Sequence, residues 1–233
     1  NAMTSFRTYN KIYSLGHEKN QDIFKNPEDE IVIEEKIDGG NFRFMFKDGQ
    51  IIFGSRTLSE DVEHKFAKNF RRCIGWILDK TKDIDKSKYE GMVFYGECCV
   101  VHSMQYDWNL IPPYLGFDIN NENNPNYPKR FIPYPQCKEI FTELGLNFVP
   151  VIKVCKVKDN YKAIDDNLVP ISAYAIPSGT DDTRRAEGIV FKKYSFDIEK
   201  EDYQIFAKYV RDKFKELNNE VFGGRGINKS KNW

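Results

Sequence analysis

The hydrophobic positions of this chain follow two periods. Ile31-Val32-Ile33 is a short β-branched run that predicts a strand, and the turn-prone Asp38-Gly39-Gly40 follows it. Phe42-Arg43-Phe44-Met45-Phe46 and Ile51-Ile52-Phe53, joined by Asp48-Gly49, predict a hairpin. From Glu60 to about Lys80 the period lengthens. Val62, Phe66, Phe70, Cys73, Ile74, Ile77 and Leu78 recur at three- and four-residue steps, which predicts an amphipathic helix. Met92 to Val101 reads as a strand with Gly96-Glu97 in its middle. Tyr114 to Ile119 reads as a short strand held inside Pro- and Asn-rich loops between Asn109 and Pro135. A second helix is predicted over Gln136–Leu144 with Gly145 as its cap, and a third after Asp159. Glu187 to Lys193 and Phe206 to Val210 read as strands, Asp212 to about Glu220 as a last helix. The tail from Gly223 to Trp233 reads as loose. No linker divides the chain, so the pattern predicts one α+β domain built on antiparallel hairpins.

Composition narrows this. Among 233 residues, 35 Lys+Arg balance 35 Asp+Glu, so the formal net charge is zero. A protein that holds nucleic acid by bulk basicity is excluded; a local basic groove is not. No apolar run approaches the ~18 residues of a membrane-spanning helix, which points away from a membrane partner. Five Cys form no Cys-x-x-Cys pair, and the odd count with adjacent Cys98 and Cys99 predicts reduced thiols and an intracellular location. Asn1-Ala2-Met3 looks like a vector remnant ahead of a native Met, so residues 4–220 form the expected domain and 221–233 a loose tail. There is no Gly-x-x-x-x-Gly-Lys-Ser/Thr loop and no Rossmann glycine pattern.

The first candidate chemistry is Glu35-Lys36-Ile37-Asp38-Gly39-Gly40-Asn41. A Lys at a strand end before a tight glycine turn sits where backbone can approach a phosphate. It becomes a nucleophile if its pKa falls well below ~10.4. Asp38 and Asn41 project from the same turn and could position that amine or a metal-bound water. A solvated surface hairpin would carry the same Lys-x-Asp-Gly. Three further apolar strand segments are interrupted by charge: Glu97, the Glu187/Lys192 pair in Glu187-Gly188-Ile189-Val190-Phe191-Lys192, and Lys208. Buried strands rarely hold lone charges, so either three exposed edge strands or a shared site explains them. Strict alternation sets Glu187 and Lys192 on opposite faces unless the strand twists where it begins. His102 follows the Glu97 strand and is structural or exposed unless it touches a ligand. His17 and His64 show no metal-ligand spacing.

Taken in order, Lys36-x-Asp38-Gly39-x-Asn41, Ser55-Arg56, Tyr95-Gly96-Glu97, Phe117-Asp118, Glu187-Gly188-x-Val190-x-Lys192 and Lys208 resemble the successive nucleotidyltransferase motifs of covalent polynucleotide ligases. The likeness is to ATP-dependent RNA ligases of the phage RNA ligase 2 and kinetoplastid editing-ligase type, and it covers about residues 30 to 216. It implies an α+β nucleotidyltransferase fold, the ATP-grasp-like adenylation domain of ligases, with two antiparallel sheets flanked by helices. It implies ATP and Mg²⁺ or Mn²⁺ as cofactors and RNA ends, a 5′-phosphate and a 3′-hydroxyl, as partners.

By that resemblance Lys36 attacks the α-phosphate of ATP and carries AMP. Asp38 is a catalytic position in the same motif, and Asn41 belongs to the nucleotide-binding set. Glu35 helps to hold adenine, Arg56 contacts a phosphate or the RNA end, Glu97 meets the ribose and Phe117 stacks on the base. Glu187, with Glu97, holds the metal. Lys192 and Lys208 face the phosphates and help to depress the pKa of Lys36. Two departures stand out. A second Lys expected two residues beyond Lys208 is Val210, for which Arg211, Lys213 or Lys215 could stand in. Only 18 residues follow Lys215, too few for an OB-fold or a helical RNA-binding domain, which implies a minimal enzyme or one trimmed to its adenylyltransferase domain. A capping guanylyltransferase or DNA ligase fragment, and a degenerate module that only binds a nucleotide or RNA end, are the alternatives.

Overall fold

Two sheets face each other across a cleft in the computed structural model, which describes residues 6–56, 68–100, 102–121, 131–160, 165–194 and 204–216. The strands are β1 (Glu30–Lys36), β2 (Gly40–Lys47), β3 (Gln50–Ser55), β4 (Val93–Cys98), β5 (Tyr114–Asn120), β6 (Asn147–Phe148), β7 (Val151–Lys156), β8 (Gly188–Tyr194) and β9 (Gln204–Val210). The helices are α1 (Lys68–Thr81), α2 (Gln136–Glu143) and the short α3 (Asp181–Arg184). One sheet is antiparallel with order β7-β1-β8-β9. The other runs β3-β2-β4-β5-β6 and is antiparallel except for its last, parallel pair, β5 with β6. The architecture is thus the α+β arrangement of two sheets flanked by helices.

Side-chain alternation divides each sheet. On the outer face of the four-stranded sheet Ile31, Ile33, Ile189, Phe191 and Ala207 pack with Ile23, Val169 and Ala186. On the outer face of the five-stranded sheet Phe42, Phe44, Phe46 and Phe94 pack against Phe70, Cys73, Ile74 and Ile77 of α1 and Ile140 and Phe141 of α2. The inner faces hold what remains. In the first sheet these are the register partners Val32–Lys192, Glu34–Val190 and Val190–Lys208; in the second, Asn41–Glu97 and Arg43–Tyr95. Tyr9, Met45, Val93, Tyr95 and Phe131 close one end of the space between the sheets with an apolar plug.

The hairpin, α2 and its cap form as the pattern predicts. Asp48 and Gly49 have φ of 53° and 77°, the type I′ turn geometry that matches strand twist. Leu146 N donates to Phe141 O at 2.9 Å past Gly145, closing α2 with a Schellman bond. Other elements differ. The long helix is described only from Lys68, residues 57–67 lying outside the described ones. One 3-10 turn, Val157–Asp159, ends at Asp159, and the described residues beyond it hold a second, Asp166–Leu168, with no α-helix before α3; Asp165 and Asn167 favour local side-chain-to-backbone bonds over a helix interior, and the Asp165 carboxylate accepts from Asn167 N at 2.9 Å. Residues 161–164 are outside the described set, as are 217–233, so the last helix is seen over 212–216 only. β7 was not anticipated: it is an edge strand whose exposed Lys153 and Lys156 mask its alternation.

The edge-strand explanation of the intruding charges holds for one strand of three. β4 lies between β2 and β5, and β8 between β1 and β9. Only β9 is an edge, and the N-terminal segment covers it: Lys208 N donates to Tyr13 O at 3.1 Å and Leu15 N to Lys208 O at 2.8 Å. Among the described residues no helix is long and apolar enough to cross a membrane.

Candidate active site

The cleft contains a cavity of about 480 Å³, within the range of sites that enclose a small molecule. Lys36, Asp38, Asn41, Arg56, Glu97, Phe117, Glu187, Lys192 and Lys208 all line it, and Glu35 borders it. The weak pieces scattered along the chain therefore converge on one place.

Lys36 is the last residue of β1 and lies opposite Gly188 of β8. Glu187 precedes the first paired residue of β8, so the chain is still turning there and its carboxylate comes round to the inner face. It forms an ion pair with the Lys36 ammonium, while Lys192 reaches the same cavity by regular alternation. The two motif glycines are set by close approach: a Cβ on Gly188 would lie 2.1 Å from Tyr209 O, and one on Gly39 would lie 2.3 Å from Cys98 O.

The electrostatics at this end are acidic. Burial pushes the Glu97 carboxyl up to about 8; Glu187 and Asp38 add to the rise, against Lys36 and Arg56. Burial likewise raises Glu187, opposed by Lys36. For Lys36 burial favours the neutral amine, but Glu187, Glu97 and Asp38 outweigh it and hold the ammonium above the usual lysine range. The expected depression by Lys192 and Lys208 is thus reversed in the free protein, because the charges nearest Lys36 are carboxylates. Glu97 and Glu187 offer hard oxygen donors of the kind Mg²⁺ and Mn²⁺ take alongside substrate phosphates. Among the described residues no group of three or more acidic, His or Cys side chains is arranged to hold a metal unaided.

Asp38 does not reach toward the amine. Its Oδ2 accepts from Ser103 N at 2.9 Å and Met104 N at 2.8 Å, and its Oδ1 lies 2.9 Å from His102 Nδ1. Its own N–H donates to Tyr106 Oη at 2.7 Å. Asp38 therefore ties the Lys36 turn to the 102–106 segment, and the buried His102 is part of that tie. Glu35, on the face of β1 opposite Lys36, accepts from Ser172 Oγ at 2.6 Å and Ala173 N at 2.8 Å.

The inner end is a second cluster. The Lys192 ammonium lies 2.8 Å from Glu34 Oε1 and 3.0 Å from Asp118 Oδ2, and donates to Phe117 O at 2.8 Å. Its side chain is 1% exposed. All three ammonium donors are engaged, so in this conformation Lys192 faces carboxylates instead of open space. Tyr9 and Tyr194 donate to Asp118, the latter at 2.6 Å. Phe117 is the extra residue of a β-bulge, since Tyr95 pairs with Asp118 and Gly96 with Gly116. The bulge turns its ring into the cavity, 5.1 Å below the Lys192 ammonium.

Arg56, Asn41, Lys208, Lys11 and Lys215 stand around the lining, with Val210 where a second Lys was expected. Of the three stand-ins, Lys215 alone lines the cavity. Lys213 lies 3.6 Å from Glu216, and the buried Arg211 donates to the Ala186, Asp182 and Arg185 carbonyls. Sequence reasoning missed Glu34, Tyr9 and Lys11 as cavity residues and Tyr194 as a donor to Asp118. The adjacent carboxylates Glu34-Glu35 in an otherwise β-branched strand were the available signal, since such a strand is buried on both faces.

Known proteins share the fold described above. In the structure of a Naegleria gruberi RNA ligase solved with ATP and manganese, 59% of that chain superposes on 92% of this one with a TM-score of 0.62 at 13% identity. The same ligase solved with pyrophosphate gives 0.63 over 94% of this chain, also at 13% identity, and covers 60% of the ligase. At this identity the likeness shows the fold. The Early 65 kDa protein of Autographa californica nuclear polyhedrosis virus is 25% identical over 139 residues, 53% of this chain and 23% of that protein. The chain thus spans about six tenths of the ligase and about a quarter of the viral protein. The RNA ligase family model matches residues 29–210, a span that runs from the strand ending in Lys36 through the one carrying Lys208, and the chain belongs to that family.

Proposed function

We propose that the chain is an ATP-dependent RNA ligase acting through a covalent lysyl-AMP at Lys36, with residues 4–220 as its adenylyltransferase unit. The observation that carries this is the position of Lys36: a lysine at a strand end, facing Glu187 and Glu97 at one end of a cleft whose inner end holds the Phe117 ring and the Lys192 cluster. In the first step the neutral Lys36 amine attacks the α-phosphorus of ATP. The N–P bond forms, the bond to pyrophosphate breaks, and the amine's proton passes to Glu187, the carboxylate already in contact with it. In the second step an RNA 5′-phosphate oxygen displaces Lys36 from the AMP phosphorus. In the third an RNA 3′-hydroxyl attacks that 5′-phosphate and AMP leaves.

The side chains support distinct parts of this. Lys208, Arg56 and Lys215 supply positive charge toward the phosphates, and Asn41 lies on the same rim. Phe117 offers a ring for the base; stacking of that kind is worth ~1–3 kcal/mol. Glu97 and Glu187 would hold Mg²⁺ or Mn²⁺, and a cation there supplies charge neutralisation, both of the phosphates and of the carboxylates that keep Lys36 protonated. The RNA ends would approach past Lys11, Arg56, Lys208 and Lys215. In-line positioning and charge stabilisation then provide the acceleration.

The test is the intact mass of the protein after incubation with ATP and Mg²⁺. A gain of one AMP, reversed by pyrophosphate and absent in Lys36→Ala, is expected. Labelled GTP and NAD offered in parallel separate a guanylyltransferase or DNA-ligase-like donor, and a folded protein that forms no adduct with any of the three would sink the proposal. Sealing of 5′-phosphorylated RNA strands then tests the later steps.

A further inference from the structure

One aromatic pair beside the cavity has no part in the proposed reaction. The Tyr13 and His17 rings stack with centroids 4.2 Å apart and planes 21° from parallel. The Lys11 ammonium lies 5.0 Å from the centre of the Tyr13 ring, so a cation and two rings form one group. Lys11 is exposed and both rings are half-buried. Among the described residues, neither ring is packed into one of the four hydrophobic clusters. The tyrosines inside the cleft differ: Tyr9 and Tyr95 are buried, with their hydroxyls bonded to Asp118 and to Arg7 O.

The pair is held in place at the cavity rim. Tyr13 O accepts from Lys208 N at 3.1 Å and Leu15 N donates to Lys208 O at 2.8 Å, which lays this segment along the edge of β9. Ser14-Leu15-Gly16-His17 is a turn, closed by His17 N donating to Ser14 O at 3.1 Å with Gly16 at φ 98°. The buried Asn20 amide braces it, donating to Tyr13 O at 3.1 Å and Ser14 O at 3.0 Å and accepting from Gly16 N at 3.2 Å. His17 Nδ1 accepts from Lys19 N at 3.0 Å, which fixes the imidazole. Lys11, Ser14 and Lys208 line the cavity, so the stacked rings stand next to its mouth.

We infer that the Tyr13–His17 pair is a stacking platform for an unpaired base of the RNA strand whose end enters the cavity, so that the chain takes a single-stranded RNA end over a duplex one. This rests on the reading of the chain as an RNA ligase. A chain of zero net charge neutralises few phosphates, and base stacking then carries a larger share of its hold on RNA. Rings already ordered by the turn lose little freedom when a base joins them, and Lys11 meets the adjoining phosphate. Within a duplex each base face is covered by its neighbours, so an accessible ring on the protein matches an unstacked base. Every base has a π-face, so the platform reads strandedness and not sequence.

Fluorescence anisotropy of a labelled, 5′-phosphorylated oligoribonucleotide, alone and annealed to its complement, tests this. The wild type should bind the single strand about tenfold more tightly than the duplex. Tyr13→Leu and His17→Leu should each weaken the single strand about tenfold and leave the duplex unchanged, while Tyr13→Phe, which keeps the ring, should match the wild type. Salt supplies a second readout. Stacking releases no counterions, so both Leu variants should keep the wild-type slope of log K against log[salt], whereas Lys11→Ala should reduce that slope by about one. Melting curves confirm that each variant is folded. Equal binding of strand and duplex by the wild type, or no RNA binding at all, would overturn the inference. So would unchanged affinity in both Leu variants, or a loss that is the same for strand and duplex. The mass of the ATP adduct tests the ligase reading separately. An adduct formed by the wild type and both Leu variants leaves that reading standing even where the platform fails, and a wild type without one removes the reading and the inference together.

Discussion

Lys36 and Glu187 meet because Lys36 stands opposite Gly188 in the antiparallel register of β1 and β8, one residue from the carboxylate. The pair defines the resting state of the site. A covalent step needs a neutral amine, and the free protein holds it as an ammonium, among carboxylates that raise its pKa in spite of burial.

Replacing Lys36 should stop the proposed first step and spare the fold. In Lys36→Met the buried Glu187 loses its cation, but burial already biases that carboxyl toward its neutral form, so protonation relieves the unpaired charge. No adduct is expected by mass, with a melting temperature within a few degrees of wild type.

The raised pKa of Lys36 gives the adenylation rate a direction with pH. Well below that pKa the neutral fraction grows about tenfold per pH unit. At fixed, subsaturating ATP, single-turnover adduct formation should climb steeply from pH 6.5 to 8.5. A flat profile would mean that the amine is already neutral.

Stability should run the other way. Glu97 is raised to about 8 and Glu34 to about 7, both above their unfolded value, so the folded state binds the extra protons. Their contribution is complete below about pH 4.5 and is lost as pH rises through 7 to 8. A shift like that of Glu97 corresponds to at most about 5 kcal/mol; contact with solvent at this half-buried group reduces it to about 1–2. The melting temperature should fall between pH 5.5 and pH 8.5, and Glu97→Gln should flatten that fall.

Lys192 is more structural than its motif suggests. Lys192→Met leaves Glu34 and Asp118 buried without their cation, which costs about 3–5 kcal/mol. Urea unfolding should show that loss, and the double variant with Glu34→Gln should recover part of it because one of the orphaned charges is gone. A midpoint unchanged from wild type would contradict the network.

On the proposed function Lys215, which lines the cavity beside Val210, takes the place of the missing second Lys. Lys215→Ala should slow adduct formation about tenfold, the effect of ~1.4 kcal/mol of transition-state stabilisation. Adding Val210→Lys, on the cavity face opposite Gly188, should restore most of the rate. The same comparison with Lys213→Ala, whose side chain is exposed beside Glu216, should show no change.

The sequence by itself determined every strand except β6 and β7, the α2 cap, the hairpin turn and which residues to propose for the site, because these are written in local periods and local turn chemistry. Side-chain period and glycine position act over a few residues, so Asp48-Gly49, Gly145 and the six motif pieces are legible in order. Tertiary structure alone decided what each charge faces. Glu187 and Lys192 share a cavity because the chain twists where β8 begins, which strict alternation does not contain. Asp38 turned out to anchor the 102–106 segment and Lys192 to be locked by Glu34 and Asp118, since their partners come from strands and loops far away in the chain. The sign of the Lys36 shift depends on which charges lie within a few ångströms, a sum over three dimensions that no spacing in one can give.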